Sequence, residues 1–340
     1  CYNFFMRTYL FGFVLCLLML GCGAEAVVSP SPTPSESAIP FTLPNGFNAE
    51  QLPYQFDGPT QFVQQANLLW VAQLNGGEND EQGQVLRIDL NTGEQTVMME
   101  GLDKPTGLAV LNDTIYVATR DALLSAPVAT PANATPLLTG LPNNGRSNGT
   151  LTVTPEGNLL YETSGNRRIP ESGRLWEYNV QTGESRELAR GLKGAYAHVF
   201  DENGRLFTTE IADGSVDGVK LPGEINLVVE GADFGWFRCY GRELTGPDCT
   251  DVRPAIPVLP TNSTPTGLAL SPFADDTLLV ALWVTGEVVQ IPLTFSGDNA
   301  TGDPQPFLSG LERPQHLETL PDGTLLVSDY ALGYIYKVNT

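Results

Sequence analysis

The chain has few basic residues and few histidines. Its 340 residues include 18 Lys and Arg against 39 Asp and Glu, which gives a net charge of −21. Because nucleic acids are bound through Lys and Arg side chains that neutralise phosphate, this balance excludes a nucleic acid as partner. With only two histidines, few side chains can accept a proton near neutral pH.

Two chemical motifs are also absent. The sequence has no glycine-rich phosphate loop and no Cys-x2-Cys metal pattern. These absences exclude P-loop nucleotide hydrolysis and a zinc site of the ribbon type.

One extended apolar run lies near the start of the chain. It spans Tyr9 to Leu20, which is short for a membrane span, and it follows Met6-Arg7. This order predicts a cleaved export signal; the alternative is a buried apolar helix. Met19-Leu20-Gly21-Cys22 resembles a bacterial lipobox, with methionine in place of the usual leucine. We therefore expect residues 1–22 to be a signal peptide with a lipobox, and Cys22 to be lipidated.

Residues 23–40 are rich in proline, serine and alanine. Such a segment cannot bury apolar surface, so it predicts a disordered tether between the lipid and the folded domain. The protein is then expected outside the cytoplasm, in the periplasm or at the cell surface, and held to a bacterial membrane only by its lipid. The remaining segment, residues 41–340, is long for a single core, but closed β architectures reach this length as one domain.

Cysteine is scarce, with five residues in the chain. Export predicts an oxidising compartment in which disulfides form. Cys1 and Cys16 are lost on processing and Cys22 takes the lipid, which leaves Cys239 and Cys249. A disulfide between them would close a loop of about eleven residues, worth about 3 kcal/mol on the chain-entropy estimate.

A repeated unit organises the rest of the chain. Each copy has an apolar strand after a proline or glycine, a polar turn, a second apolar strand, a polar loop and a third strand ending in Gly-Leu. The six copies are Pro59 to Ala72, Pro105 to Thr119, Thr150 to Thr163, Ala195 to Thr209, Pro265 to Ala281 and Pro314 to Ser328. Short strands repeated every 40 to 50 residues or so predict an all-β fold, a six-bladed β-propeller.

Two further features concern the ends of the repeat array and the loops within it. The last copy stops at Val338 without an outer strand, and Phe41 to Glu50 has no blade of its own. We predict that this segment supplies the missing strand and closes the ring, which would remove exposed sheet edges. The fourth copy carries two insertions, Asp213 to Gly223 and Phe237 to Pro260, and long loops in a compact domain are usually functional.

The fourth copy also contains a specific motif. Glu224-Ile225-Asn226 is followed by Gly231-Ala232-Asp233-Phe234-Gly235-Trp236 and then by Cys239-Tyr240-Gly241. This run resembles the signature of the glucose/sorbosone dehydrogenase family, the soluble PQQ-dependent sugar dehydrogenases. The resemblance extends more weakly over about residues 40 to 340 and implies the six-bladed propeller. It also implies oxidation of a sugar hydroxyl or aldehyde through PQQ, with a structural calcium ion.

The resemblance assigns several ligands. In the family the signature glutamate binds calcium together with a residue ten positions later, which correspond here to Glu224 and Phe234. Phe234 replaces the usual tyrosine, but a backbone carbonyl serves equally from either residue. The alternative for Glu224 is a solvated loop carboxylate. The resemblance places Lys193 and Arg313 at the PQQ cofactor.

The catalytic base of the family is missing from its expected position. That histidine precedes the inner strand of the third blade, where this chain has Asn144 to Leu151 without a histidine. Arg146 lies in this stretch and cannot replace it, because arginine does not lose its proton in proteins. His198 and His316 are the remaining candidates, and for His198 the alternative is a histidine packed among aromatic side chains.

Three hypotheses follow. The chain is a surface-tethered PQQ-dependent sugar dehydrogenase, or a catalytically inactive, calcium-stabilised propeller that binds a glycan or an envelope protein. The third is a calcium-dependent lactonase of the gluconolactonase-like propellers. In the first two the ligand is a small sugar or a glycan and the protein is a monomer.

Overall fold

The computed structural model describes residues 39–144, 148–212, 215–216 and 218–340. The predicted signal peptide, Cys22 and most of the tether lie outside the described residues, as does Arg146. Within the described residues there are β-strands and no α-helix, and hence no helix of a length and hydropathy suited to crossing a membrane.

The strands lie between residues 48 and 339. In chain order they are β1 (Asn48–Gln51), β2 (Pro59–Gln65), β3 (Leu68–Gln73), β4 (Gly83–Asp89), β5 (Gln95–Leu102), β6 (Gly107–Leu111), β7 (Thr114–Ala118), β8 (Ala122–Pro127), β9 (Thr135–Thr139), β10 (Thr152–Val153), β11 (Leu159–Thr163), β12 (Arg174–Tyr178), β13 (Ser185–Arg190), β14 (His198–Phe200), β15 (Leu206–Glu210), β16 (Ser215–Val216), β17 (Val219–Lys220), β18 (Pro222–Val228), β19 (Ala232–Asp233), β20 (Val258–Thr261), β21 (Pro265–Leu270), β22 (Thr277–Leu282), β23 (Glu287–Pro292), β24 (Thr294–Ser296), β25 (Asn299–Thr301), β26 (Gln305–Ser309), β27 (Pro314–Thr319), β28 (Leu325–Asp329) and β29 (Tyr334–Asn339).

These strands form six antiparallel blades, which confirms the predicted all-β, six-bladed propeller. Blade one is β2 to β5, blade two β6 to β9 and blade three β10 to β13, with β19 added in parallel to its outer edge. Blade four joins β14, β15, β18 and β20, blade five β21, β22, β23 and β26, and blade six β27, β28, β29 and β1. Two small ribbons, β16–β17 and β24–β25, complete the described strands.

Each blade has four strands, whereas the repeat in the sequence suggested three. The Gly-Leu that closes a repeat lies at or just after the outer strand, as Gly101-Leu102 does at the end of β5, so the strand missing from the repeat is the third strand of the blade. Ala122–Pro127 is an example, and its mixed burial gives it no clear pattern in the sequence. The tight hairpins are easier to recognise: Asn112 and Asp113 both have positive φ, 49° and 58°, as a two-residue type I′ turn between β6 and β7 requires.

The core lies between the blades rather than within one sheet. In blade five every residue of Thr277–Leu282 is buried. Alternate side chains of this strand pack in opposite directions, with Leu278 and Val280 in the cluster shared with blade four and Leu279 in the cluster shared with blade six. Burial on both faces explains why this strand, the second of blade five, reads as a continuous apolar run in the sequence.

The N-terminal segment contacts the last two blades. Asn48–Gln51 pairs antiparallel with Tyr336 to Asn339, so it forms the outer strand of blade six. The preceding residues lie on blade five, where Thr42 bridges to Ser309 and the ring of Phe47 packs edge-on against two phenylalanines of that blade. The segment predicted for this role was Phe41 to Glu50, and the strand itself takes up only its last part.

A recurring hydrogen bond links neighbouring blades around the axis. The threonine at the start of an inner strand donates its hydroxyl to a carbonyl that precedes the next inner strand. The four bonds are Thr60 to Pro105 (2.6 Å), Thr106 to Asn148 (2.5 Å), Thr150 to Tyr196 (3.0 Å) and Thr266 to Pro314 (3.0 Å). We call these four contacts the threonine ring. Its close spacing requires Gly149, because a Cβ there would lie 2.3 Å from the Tyr196 carbonyl oxygen.

We expect Thr106→Val and Thr266→Val each to lower the free energy of unfolding by about 1–2 kcal/mol. Valine has the shape of threonine but leaves a buried carbonyl between two blades without its donor. Urea unfolding followed by circular dichroism measures the change. Thr130→Val is the matched control, because Thr130 is exposed on a turn. Equal stability of the ring variants and the control would show that the ring does not hold the blades together.

Candidate functional site

The channel along the propeller axis contains two cavities. The first, which we call the mouth, has a volume of about 150 Å³ and opens where the inner strands begin. The second, the opposite cavity, has a volume of about 420 Å³ and lies among the far halves of the same strands. The two cavities share no lining residue.

Polar side chains cross the channel between the two cavities. Gln61 of blade one accepts hydrogen bonds from the backbone NH groups of Leu108 (2.7 Å) and Leu151 (3.0 Å) and donates to the Leu151 carbonyl. Gln315 of blade six donates to the hydroxyl of Tyr196 of blade four at 2.7 Å. All five residues are buried, so these bonds fix the floor of the mouth.

The mouth combines one ion pair with two aromatic rings. Lys104, which is 8% exposed, donates to the carboxylate of Glu78 at 2.8 Å. On the other side Trp283 and Tyr330 lie with their ring centroids 6.2 Å apart. The mouth therefore offers apolar ring faces together with charged and polar hydrogen-bonding groups.

Glu162 lines the mouth and was not identified from the sequence. It lies in Leu159–Thr163, in which every residue is buried, and its carboxyl accepts the Ser164 hydroxyl at 3.0 Å. Burial raises the pKa of Glu162 to about 7, although the hydrogen bond from Ser164 and the nearby Lys193 act in the opposite direction. The signal in the sequence that could have identified Glu162 is a glutamate within the mostly apolar second strand of a blade.

A second group of carboxyl groups lies in blade four. Glu224 and Glu210 face each other across β18 and β15, and both are 3% exposed. Burial raises the pKa of each, and the neighbouring Glu210 raises the pKa of Glu224 further. Asn226 donates to Glu210 at 3.2 Å, while its own side-chain oxygen is buried without a hydrogen-bond partner.

Glu224 is therefore not the solvated loop residue that the sequence allowed. The strand that carries it begins at Pro222, because its first residues pair with the ends of β15 and β20. Glu224 accepts a hydrogen bond from the Gly241 backbone NH at 2.5 Å. In the described part of the chain, no three His, Cys, Asp or Glu side chains are grouped so that they could hold a metal ion.

The other predicted calcium ligand lies beside blade three. The Phe234 ring is buried in the cluster of that blade, and its backbone NH donates to the Arg190 carbonyl. The insertion that follows is closed by a disulfide between Cys239 and Cys249, with a Cα–Cα distance of 5.2 Å. Gly241, which contacts Glu224, lies inside the loop that this disulfide closes.

The two predicted cofactor residues lie near the mouth on different blades. The backbone NH of Lys193 donates to Glu210 at 2.8 Å, and its ammonium group is close enough to Glu162 to lower the pKa of that carboxyl. Arg313 places its guanidinium 4.6 Å from the ring centroid of Trp283 and donates to the Glu312 carbonyl. Neither side chain lines the mouth directly.

Both candidate catalytic histidines line the opposite cavity, away from the mouth. His198 and His316 are 6% and 8% exposed, and the His316 ring packs edge-on against Phe62 at 4.8 Å. Burial lowers the pKa of His198 to about 4 and that of His316 to about 3. They are therefore neutral, packed histidines at pH 7, and no histidine is among the described residues that line the mouth.

Glu162→Gln should change the pH dependence of stability. A carboxyl whose pKa rises from 4.5 to about 7 on folding contributes stability that is present below pH 4.5 and is lost as the pH rises to about 7. Glutamine does not titrate, so the free energy of unfolding of the variant relative to wild type should increase between pH 4.5 and pH 8. The limit of this increase is about 3 kcal/mol.

Chemical denaturation at pH 4.5, 6 and 8 measures this difference. Glu156→Gln, at an exposed turn position, is the control for the loss of one negative charge. A Glu162→Gln difference that stays constant across the three pH values would contradict a carboxyl group that is protonated in the folded state.

The comparisons with known proteins concern the fold. No protein-family model matches the chain, and no curated protein matches it. Among solved structures, the holo form of the PQQ domain of pyranose dehydrogenase from Coprinopsis cinerea is 15% identical with a TM-score of 0.72, covering 88% of this chain and 97% of that one. A calcium structure of a family AA12 carbohydrate-active enzyme from Trichoderma reesei is 14% identical with a TM-score of 0.73, covering 88% and 96%.

A third similar structure is the PQQ-bound aldose sugar dehydrogenase from Streptomyces coelicolor. It is 18% identical with a TM-score of 0.65, and the match covers 88% of this chain and all (100%) of that one. At these identities the likeness establishes the fold: the chain has the six-bladed β-propeller of the soluble PQQ-dependent sugar dehydrogenases.

Proposed function

We propose that the chain is a sugar-binding propeller whose mouth takes one neutral sugar unit and does not oxidise it. The observation that carries this proposal is the composition of the mouth. Trp283 and Tyr330 offer faces for the apolar CH surface of a sugar ring, while Lys104, Glu78 and Glu162 offer hydrogen bonds to its hydroxyl groups. A pocket with apolar walls and a few convergent polar groups is the usual form of a small-ligand site.

The mouth takes at least one sugar ring. Its enclosed volume is about 150 Å³ and it is open to solvent, so a longer ligand can extend from it. PQQ is a tricyclic quinone with three carboxylate groups. In the mouth it would meet the carboxyl groups of Glu78 and Glu162, while Lys104 is already paired with Glu78.

The mouth residues therefore do not fit PQQ, and the described residues there include no histidine that could take the proton of a sugar hydroxyl. PQQ-dependent oxidation of a sugar is the second candidate. It is favoured by the fold that the chain shares with structures whose names include PQQ and by the cationic residues Lys193 and Arg313 near the mouth.

Calcium fits the residues of blade four better than PQQ fits the mouth. We propose that one calcium ion is held in blade four by Glu224, Glu210 and the unpartnered side-chain oxygen of Asn226. Carboxylate, amide and carbonyl oxygens are the ligands that calcium prefers. A bound cation would also remove the repulsion between two facing carboxylates, which otherwise favours protonation of both. Its role here is structural.

The cellular setting remains the one that the sequence predicts. We propose that the propeller is exported, lipidated at Cys22 and held by a flexible tether as a monomer outside a bacterial membrane. A sugar-binding domain in that setting would meet free sugars or glycans of the envelope.

The first test is calorimetric titration of the folded domain, residues 41 to 340, with glucose, galactose, mannose and xylose in the presence of calcium. We expect at least one of these sugars to bind in the mouth. Trp283→Ala should weaken that binding by about fivefold, because a ring contact contributes about 1 kcal/mol. Trp283→Phe should restore most of the affinity. Val284→Ala, at the exposed neighbouring position, is the matched control and should bind as wild type does.

The same sample is titrated with PQQ and assayed for dye-linked oxidation of each sugar. Sugar binding without PQQ binding is the expected result. Tight PQQ binding with turnover would overturn the non-redox proposal and favour the dehydrogenase. If no sugar binds and Trp283→Ala changes nothing, sugar recognition by the mouth is excluded.

The calcium proposal predicts a metal-dependent melting temperature. Calcium at 100 times its dissociation constant should stabilise the folded chain by about 2.7 kcal/mol, and a chelator should reverse this. Glu224→Gln should abolish the shift, because the amide neutralises one of the two facing carboxylates. Glu243→Gln, at an exposed position of the same disulfide-closed loop, is the control and should keep the full shift. A Glu224→Gln variant that retains it would exclude this site.

A further inference from the structure

A groove lined by amide side chains begins beside the mouth. It has a volume of about 680 Å³ and lies between blade one and the loops of residues 55–58 and 330–332. Four glutamines and one asparagine line it, namely Gln55, Gln73, Gln84, Gln95 and Asn75. We call it the amide groove. Tyr330 lines both the mouth and the amide groove, so its ring forms the boundary between the two.

At one end of the groove the amide side chains are held by hydrogen bonds within the protein. At the other end they are available to bind a ligand. Gln73 is 5% exposed, accepts the Asp57 backbone NH at 3.0 Å and donates to the Gln84 side-chain oxygen at 3.1 Å. This pairing uses the side-chain oxygen of Gln84, which also lines the groove. The side chains of Gln55 and Gln95 are exposed and make no hydrogen bond within the described residues.

The length of the groove exceeds one sugar ring. Gln84 lies near the start of β4, level with Gln73, and Gln95 lies level with Ile88 of the same strand. Four residues of strand separate these two levels, which corresponds to about 13 Å. A ligand that begins in the mouth and passes Tyr330 therefore has room for further units along blade one.

The chemistry of the groove selects an uncharged, hydroxyl-rich chain. Each amide offers both donors and an acceptor, as a sugar hydroxyl group does, so the two groups can pair in either direction. Asp57 is the one carboxylate that lines the groove among the described residues, and no Lys or Arg lines it there. An anionic glycan would find no counter-charge, and a purely apolar chain would leave the amides unpaired.

We infer that the amide groove is a subsite for the second and later units of a neutral oligosaccharide whose terminal unit occupies the mouth. This inference rests on the proposed sugar binding by the mouth. Tyr330 is the shared wall of the two sites, with its ring against Gly58, where a Cβ would lie 3.0 Å from a ring carbon. The ligand class is thereby an unbranched neutral glycan that is held at one end.

The experiment is calorimetric titration of the folded domain with glucose, galactose and mannose and with maltotriose, cellotriose and mannotriose. At least one trisaccharide should bind tenfold or more tightly than its monosaccharide. The double variant Gln55→Ala, Gln95→Ala should lower trisaccharide affinity to the monosaccharide level and leave monosaccharide affinity unchanged. Because neither side chain makes a hydrogen bond within the described residues, the melting temperature should not change.

Gln181→Ala, an exposed glutamine on blade three, is the matched control and should bind every sugar as wild type does. Equal affinities for monosaccharides and trisaccharides, or a double variant that binds trisaccharides normally, would overturn the subsite while leaving sugar binding by the mouth intact. If no sugar of either length binds, the proposed function fails, and the subsite fails with it.

Discussion

The hydrogen bond from a threonine hydroxyl to a carbonyl of the next blade is the constraint on which the rest of the structure depends. Thr60, Thr106, Thr150 and Thr266 make it in four of the six blades. Apolar packing between blades is not directional and tolerates sliding, whereas a buried hydroxyl and carbonyl must meet at a fixed distance. The ring therefore sets the offset of each inner strand along the axis, and with it the positions of the side chains that line the mouth.

A fixed ring also explains why carboxyl groups can be buried around the mouth. Glu162 and Glu210 lie at or next to the ends of the second strands of blades three and four. Glu224 lies near the start of the third strand of blade four. Each is held by a donor from a neighbouring segment, namely the Ser164 hydroxyl, the Lys193 NH and the Gly241 NH. Protons or a cation must balance these groups, since burying isolated carboxylates is costly. The third of these donors comes from the disulfide-closed insertion of blade four, so that insertion completes an internal site rather than an external surface.

The repeats in the sequence were enough to predict the number of blades, because second strands such as Thr277–Leu282 are buried on both faces and read as apolar runs. The third strands of the blades and the depth of each polar residue were not accessible in the same way. Sequence spacing places His198 and His316 early in inner strands, but which cavity they line depends on the offset between blades. That Glu162 lines the mouth also depends on this offset, so the sequence alone does not show it. Whether the side-chain oxygen of Asn226 finds a hydrogen-bond partner likewise depends on how β18 packs between β15 and β20.

The mouth contains a group that could accept a proton, but its charges do not suit an anionic electron acceptor. Glu162, with a pKa of about 7, could take the proton of a sugar hydroxyl, as the missing histidine would. Removing hydride as well requires an oxidant beside the same carbon. A quinone with three carboxylates would there meet Glu78 and Glu162, while Lys104 is already paired with Glu78. The amide groove, by contrast, lies on the other side of Tyr330 and presents uncharged amides along blade one. These charges and amides are the reasons why we propose binding of a neutral sugar without its oxidation.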